Sequence, residues 1–226
     1  MARQLTFDLP ARQALGRDDF FVSPSNASAV AMVESWQSWP ARKLLLIGPE
    51  GAGKTHLAHV WAALSGATLV NARDLREADI PKLARGAVAV ENIPEIADQP
   101  AAQNALFHLH NLALAEGQSL LFTGTGEART WGLTLPDLMS RMQGTSAVAL
   151  GAPDDDLLAA VLMKLFADRQ LSPRPDVLAY LTKHMERSFA AARVLVEEID
   201  ALALREGRDV SRKLAAEVLD RQAELF

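Results

Sequence analysis

The sequence predicts an α/β fold: a parallel five-stranded sheet covered on both faces, followed by a small all-helical C-terminal domain. Three observations lead there. Short apolar runs at 44–47, 68–70, 87–92, 120–123 and 147–150 have the length and aliphatic make-up of buried strands. Helical patterns separate them, and strands alternating with helices at this spacing imply parallel pairing. After Pro153 the strands stop, and 154–169, 175–185, 189–205 and 211–223 carry helical periodicity with no strand between them.

Taken in order, residues 1–20 form an N-terminal tail, 21–152 the α/β domain and 153–226 the helical domain. The tail reads either as a plain terminus or as an extended docking peptide. In the second case Leu5, Phe7 and Leu9 are apolar anchors and Gln4 a polar one. Ser25 and Asn26 are cap residues for a helix over 27–39, which Pro40 stops. The strand 44–47 leads through a loop into a helix reaching about Leu64, ended by Gly66. Further helices are predicted over 101–116 and 135–142. Asp154, Asp155 and Asp156 fall in the first turn of the first C-terminal helix, where carboxylates meet the positive end of the dipole.

The chemistry concentrates in Lys43-Leu44-Leu45-Leu46-Ile47-Gly48-Pro49-Glu50-Gly51-Ala52-Gly53-Lys54-Thr55-His56. An apolar strand ends in Gly48, four residues intervene, and Gly53-Lys54-Thr55 opens a helix, the phosphate-binding P-loop in its expected context. Gly48, Gly51 and Gly53 let the loop from Pro49 and Glu50 through Ala52 to His56 curl around an anion, with N–H donors from Glu50 onward, since Pro49 has none. The helix beginning near Lys54 adds its positive dipole end. Lys54 is then suited to the β- and γ-phosphates and the Thr55 hydroxyl to Mg²⁺. A glycine-rich turn that merely happens to carry Lys-Thr is the plainer alternative, and it leaves the spacing and the flanks unaccounted for.

Composition narrows the class. The 226 residues include no cysteine, which excludes disulfides, a thiolate nucleophile and a cysteine metal site. Net charge is −5, and within 153–226 the 11 Lys and Arg are outnumbered by 14 Asp and Glu. Neither part has the basic excess of a dedicated duplex-DNA-binding domain. No apolar run approaches the ~18 residues of a membrane span, nor does the N-terminus carry a signal-peptide core, so a cytoplasmic address is expected.

Further stations refine the P-loop. The third strand ends in Glu91-Asn92, where a P-loop ATPase places a Mg²⁺-linked acid and a residue that polarises water. The fourth ends in Thr123, which reads either as a β-branched strand residue or as a polar group beside the γ-phosphate. Arg141 closes Leu135-Pro136-Asp137-Leu138-Met139-Ser140-Arg141, and Arg193 lies six residues after Arg187. By spacing alone Arg141 suits an ion pair with Asp137, and Arg193 one with Glu197. The histidines lack metal-site spacing, and Trp36, Trp39, Trp61 and Trp131 read as packing residues.

With these residues in view the chain resembles the AAA+ family of P-loop NTPases, and within it the replication initiator DnaA. The resemblance covers nearly the whole chain. It implies that 21–26 borders the adenine, that Arg141 is an arginine finger, that Arg193 is a sensor arginine in the lid, and that Thr123 senses the γ-phosphate. The sequence ends at Phe226, before the helix-turn-helix domain that follows the lid in DnaA. A short DnaA-like chain tipped with a clamp-binding peptide resembles the Hda family of regulatory inactivators of DnaA. That resemblance implies ADP or ATP with Mg²⁺ as cofactors, with Thr55 and Glu91 on the metal side. Its implied partners are DnaA and the β sliding clamp, the clamp being met by Gln4, Leu5, Phe7 and Leu9; homo-oligomerisation stays open. Asn92 stands where the family's catalytic acid is usual and cannot accept a proton from water. Weak hydrolysis by the chain itself and catalysis in trans by Arg141 are therefore expected. The alternatives are a self-sufficient AAA+ ATPase and an ADP-locked scaffold.

Overall fold

Five strands and nine helices follow one another among the described residues, 21–223, of this computed structural model. In chain order they are α1 (Ala27–Glu34), β1 (Lys43–Ile47), α2 (Lys54–Ser65), β2 (Thr68–Asn71), α3 (Ile80–Leu83), β3 (Val88–Glu91), α4 (Pro100–Ala115), β4 (Leu120–Gly124), α5 (Pro136–Gln143) and β5 (Ala147–Ala149). Then come α6 (Asp155–Asp168), α7 (Pro175–His184), α8 (Phe189–Glu206) and α9 (Arg212–Ala223). The candidate docking stretch with Gln4, Leu5, Phe7 and Leu9 lies outside the described residues.

The strands pair in the order β2-β3-β4-β1-β5, all parallel, which places the loop-bearing strand β1 between β4 and β5. Both faces are covered, so successive side chains alternate between two cores and the strand sequences read as unbroken apolar runs. Leu45, Val88, Val90, Leu120 and Phe122 join one core with Leu106 and Leu109 of α4 and Leu138 and Met142 of α5. Leu44, Leu46, Ala89 and Leu121 join the other with Val30 and Val33 of α1 and Leu57 and Trp61 of α2. Full burial of each such leucine or phenylalanine stabilises the fold by about 1.5–3 kcal/mol. Trp39 stacks on Trp61 with centroids 5.2 Å apart, and Trp36 meets Trp61 edge-on at 6.4 Å. α6 to α9 enclose a third core around Leu162, Phe166, Leu181, Val196, Ile199 and Leu214.

Two local expectations change. The helix over 27–39 ends at Glu34 and gives way to a 3-10 turn at Trp36–Ser38. The Ser35 hydroxyl donates back to the Ala31 carbonyl at 2.9 Å, and the Trp39 indole donates to that of Met32 at 2.6 Å, which diverts the chain from continuing the helix. Asn26 occupies the cap position without capping: its Oδ1 accepts from the Ser23 N–H and its amide donates to the Phe21 carbonyl. No helix among the described residues is long and apolar enough to cross a membrane.

Candidate functional site

β1 delivers the chain into a loop whose backbone is left-handed at Gly51 (φ 71°) and Gly53 (φ 95°), after which α2 begins at Lys54. The first N–H groups of α2, those of Lys54 and Thr55 among them, have no acceptor one turn earlier within the helix and face the loop end where an anion would sit. The Lys54 ammonium is nine-tenths buried and donates to the carbonyls of Gly48 at 2.9 Å and Pro49 at 2.7 Å. Burial lowers its pKa, partly offset by the nearby Glu50 carboxylate. A phosphate in the loop supplies the negative charge that these neutral carbonyls lack.

The helical lid closes on this loop. The Phe189 N–H donates to the Gly51 carbonyl at 3.0 Å, and the Ser188 side chain caps α8 by accepting from the Ala191 N–H. Between lid and loop lies a cleft of about 530 Å³. Glu50, Gly51, Gly53, Lys54, Thr55 and His56 line it from the loop, and Leu157, Val161, Phe189 and Arg193 from the lid. Phe21, Asn26, Asn92 and Thr125 also line it. A cleft with apolar and aromatic walls on one side and anion-seeking groups on the other suits a ligand that joins a planar ring to a phosphate chain.

The strand-end residues divide in role. Glu91 ends β3 with its Oε1 buried and without a hydrogen-bond partner. Asn92 follows in the left-handed conformation (φ 58°, ψ 45°), which asparagine tolerates better than most residues, and donates its N–H to Thr123 Oγ1 at 3.1 Å. Thr123 is buried with that hydroxyl engaged, and it is Thr125, two residues on, that lines the cleft.

The two arginines go to different places. Arg193 is exposed on α8, lines the cleft and forms no ion pair with Glu197. Arg187 instead locks the lid's geometry, through an ion pair with Asp155 at 2.7 Å and a hydrogen bond to the Pro153 carbonyl. Arg141 is exposed in the last turn of α5, outside the cleft lining. Its carbonyl lies 3.5 Å from the ammonium of Lys43, the first residue of β1, whereas the loop departs from the strand's other end. Its guanidinium lies 6.0 Å from the Phe107 ring centroid rather than on Asp137.

No protein-family model matches the chain. Among curated proteins it is similar to the chromosomal replication initiator DnaA of Sphingopyxis alaskensis, with 26% identity over 95% of this chain and 55% of the relative. It is also similar to DnaA of Caulobacter sp. strain K31, with 28% identity over 89% of this chain and 47% of the relative. The chain thus spans about half the length of the curated relatives it matches. Domain III of Thermotoga maritima DnaA superposes with a TM-score of 0.77 at 17% identity, covering 94% of this chain and 98% of that one. AMPPCP-bound DnaA from Aquifex aeolicus superposes at 0.71 and 15% identity (95% and 70% covered), and the FIGL-1 AAA domain at 0.69 and 16% (92% and 84%). The fold is that of a DnaA-like AAA+ domain.

Several residues at the cleft and beside Arg141 carry little local signal in the sequence. Ser188 and Phe189 reach the P-loop across more than a hundred residues, and only the break before α8, with a serine at its cap, hinted at a special junction. Thr125 lies past the end of an apolar run that drew attention to Thr123. Lys43 and His110 are buried polar residues set in apolar patterns, and nothing local distinguishes them from solvent-facing positions.

Proposed function

We propose that this chain is a nucleotide-bound regulator of the Hda kind, which stimulates ATP hydrolysis by the initiator DnaA through Arg141. One observation carries the reading: Arg141 is exposed at the opposite end of β1 from the phosphate-binding loop. A five-residue strand spans about 13 Å between its first and last Cα. A guanidinium there is remote from the chain's own nucleotide and free to meet a neighbour's. Acting in trans, it stabilises charge developing on the transferred γ-phosphoryl group, a contribution of about 10³–10⁵ in rate in other NTPases.

The home cleft then holds ADP or ATP. DnaA relatives solved with AMPPCP support an adenine nucleotide. Gly48 to His56 cradle its phosphates, and Arg193 contacts them from the lid. The donor set fits Mg²⁺, which keeps several waters and takes few protein ligands: the Thr55 hydroxyl, and the Glu91 carboxylate whose buried oxygen lacks a donor. The ion neutralises charge on the phosphates, while Asn92 supplies no base and hydrolysis at home is slow. Gln4, Leu5, Phe7 and Leu9 dock on the sliding clamp and bring Arg141 to DNA-bound DnaA.

The test is a reconstituted reaction with clamp-loaded DNA and ATP-bound DnaA. This chain is expected to accelerate hydrolysis by DnaA, and Arg141→Ala to abolish the acceleration while its own nucleotide and clamp binding persist. Turnover by DnaA that ignores the chain, or rapid multiple turnover by the chain alone, would overturn the reading.

A further inference from the structure

Behind Arg141 lies a polar cluster that the nucleotide cleft does not use. The Arg141 carbonyl is in the last turn of α5, one of the four left without a partner inside the helix. Two side chains take it up: the Thr145 hydroxyl donates to it at 2.7 Å, and the Lys43 ammonium lies at 3.5 Å. Lys43, itself nine-tenths buried, is steadied by His110 Nε2 at 3.2 Å. His110 is fully buried, stacks on Phe122 of β4, and has its Nδ1 3.3 Å from Asn111 Oδ1. These contacts suit one neutral tautomer, with Nδ1–H donating to Asn111 and Nε2 accepting from Lys43. One turn earlier on α4, Phe107 places its ring under the Arg141 guanidinium.

The arrangement is costly if its only duty is packing. Burying an ammonium without a carboxylate partner disfavours the fold, and an apolar residue of the same length would fill the space. Lys43 forms no ion pair among the described residues. What Lys43 does supply is a donor aimed at the main chain of one exposed arginine, from a strand that cannot shift without disturbing the sheet.

We infer that Lys43, Thr145 and Phe107 are positioning residues for Arg141, holding its carbonyl from β1 and the β5 approach and its guanidinium from α4. The inference rests on Arg141 acting in trans. With main chain and side chain both held, the guanidinium is preorganised before the partner arrives, which matters because misplacement by about 1 Å costs roughly 10²-fold in rate.

The test uses the full chain in the reconstituted hydrolysis assay, with the maximal stimulated rate separated from the concentration giving half of it. Thr145→Val and Lys43→Met are expected to lower the maximal rate roughly ten- to a hundredfold, with the half-saturating concentration and the chain's own nucleotide affinity unchanged. Thr145→Ser, which keeps the hydroxyl, restores it. In the isolated protein, ¹⁵N relaxation at Arg141 Nε reports a more mobile guanidinium in Phe107→Leu and Thr145→Val, which holds the inference to account even where Lys43→Met unfolds. Full stimulation by Thr145→Val and Lys43→Met, in preparations where Arg141→Ala gives none, overturns the positioning role alone. Indifference to Arg141→Ala overturns the trans reading and this inference together.

Discussion

The backbone N–H of Phe189 donates to the carbonyl of Gly51 at 3.0 Å, so the first residue of α8 is bonded directly to the phosphate-binding loop. Under the proposed function, nucleotide and lid share one piece of backbone. A β-carbon on Gly51 would lie 2.4 Å from Ser188 Cβ, and a non-glycine residue at φ 71° carries strain as well. Gly51→Ala is expected to force the lid off the loop and to weaken nucleotide binding at least about tenfold, since more than 1.4 kcal/mol is at stake. Gly66→Ala is the control: its φ is 72° but nothing lies within 4 Å, so it should cost about 1–2 kcal/mol of stability and no affinity. Titration calorimetry and thermal melts separate the two.

Arg193 is exposed and lines the cleft from the lid without an ion pair to Glu197. Charge-assisted hydrogen bonds contribute about 1.5–3 kcal/mol. Arg193→Ala should therefore weaken adenine nucleotide binding about ten- to a hundredfold while the melting temperature without nucleotide stays unchanged. Equal affinity in equilibrium binding would remove Arg193 from the site.

Asn92 combines a left-handed backbone with a place in the cleft lining. Aspartate tolerates the same conformation, so Asn92→Asp should fold normally while adding a carboxylate able to accept a proton from water. The expected result is a rise of about 10²-fold in the chain's own Mg²⁺-dependent ATP turnover, the lower end of what a positioned base contributes. Steady-state phosphate release measures it.

Burial lowers the pKa of His110 to about 4, aided by the charges of Lys43 and Arg141 and opposed by the hydrogen bond to Asn111. In the unfolded chain its pKa returns to about 6.5. Below that value the unfolded state binds the proton more readily, so the stability tied to neutral His110 is complete above pH 6.5 and falls by about 1.4 kcal/mol per unit down to pH 4. His110→Gln should flatten that part of the profile in urea denaturation across pH 7.5 to 4.5. An unchanged slope would mean that the imidazole is protonated in the fold.

How much of this was legible beforehand depends on how local each signal was. Every strand was anticipated to within two residues at either end, because a doubly covered parallel sheet demands short unbroken apolar runs. The 3-10 turns at Trp36–Ser38 and Ala72–Glu77 and the single turn Ile80–Leu83 were not, since segments so short carry no periodicity. The conformation of the loop Gly48 to Thr55 was legible because its glycines and the helix start lie in eight consecutive residues. Thr123 is a less local case. A polar residue at a strand end suggests a site, but its hydroxyl accepts from the Asn92 N–H of the neighbouring strand's end, and Thr125, just past the end of β4, lines the cleft.

By itself the amino-acid sequence determined a strand, a glycine-rich turn and a helix start, and with them a loop suited to phosphate, because backbone conformation and helix dipole act over a few residues. Only the tertiary structure decided that Ser188 and Phe189 rest on Gly51 and Gly53, and that Arg141 stands beside Lys43, at the far end of β1 from the loop. The sheet order is the physical reason: with β1 set between β4 and β5, α5 returns to the beginning of the loop-bearing strand, and residues 98 apart in sequence become neighbours.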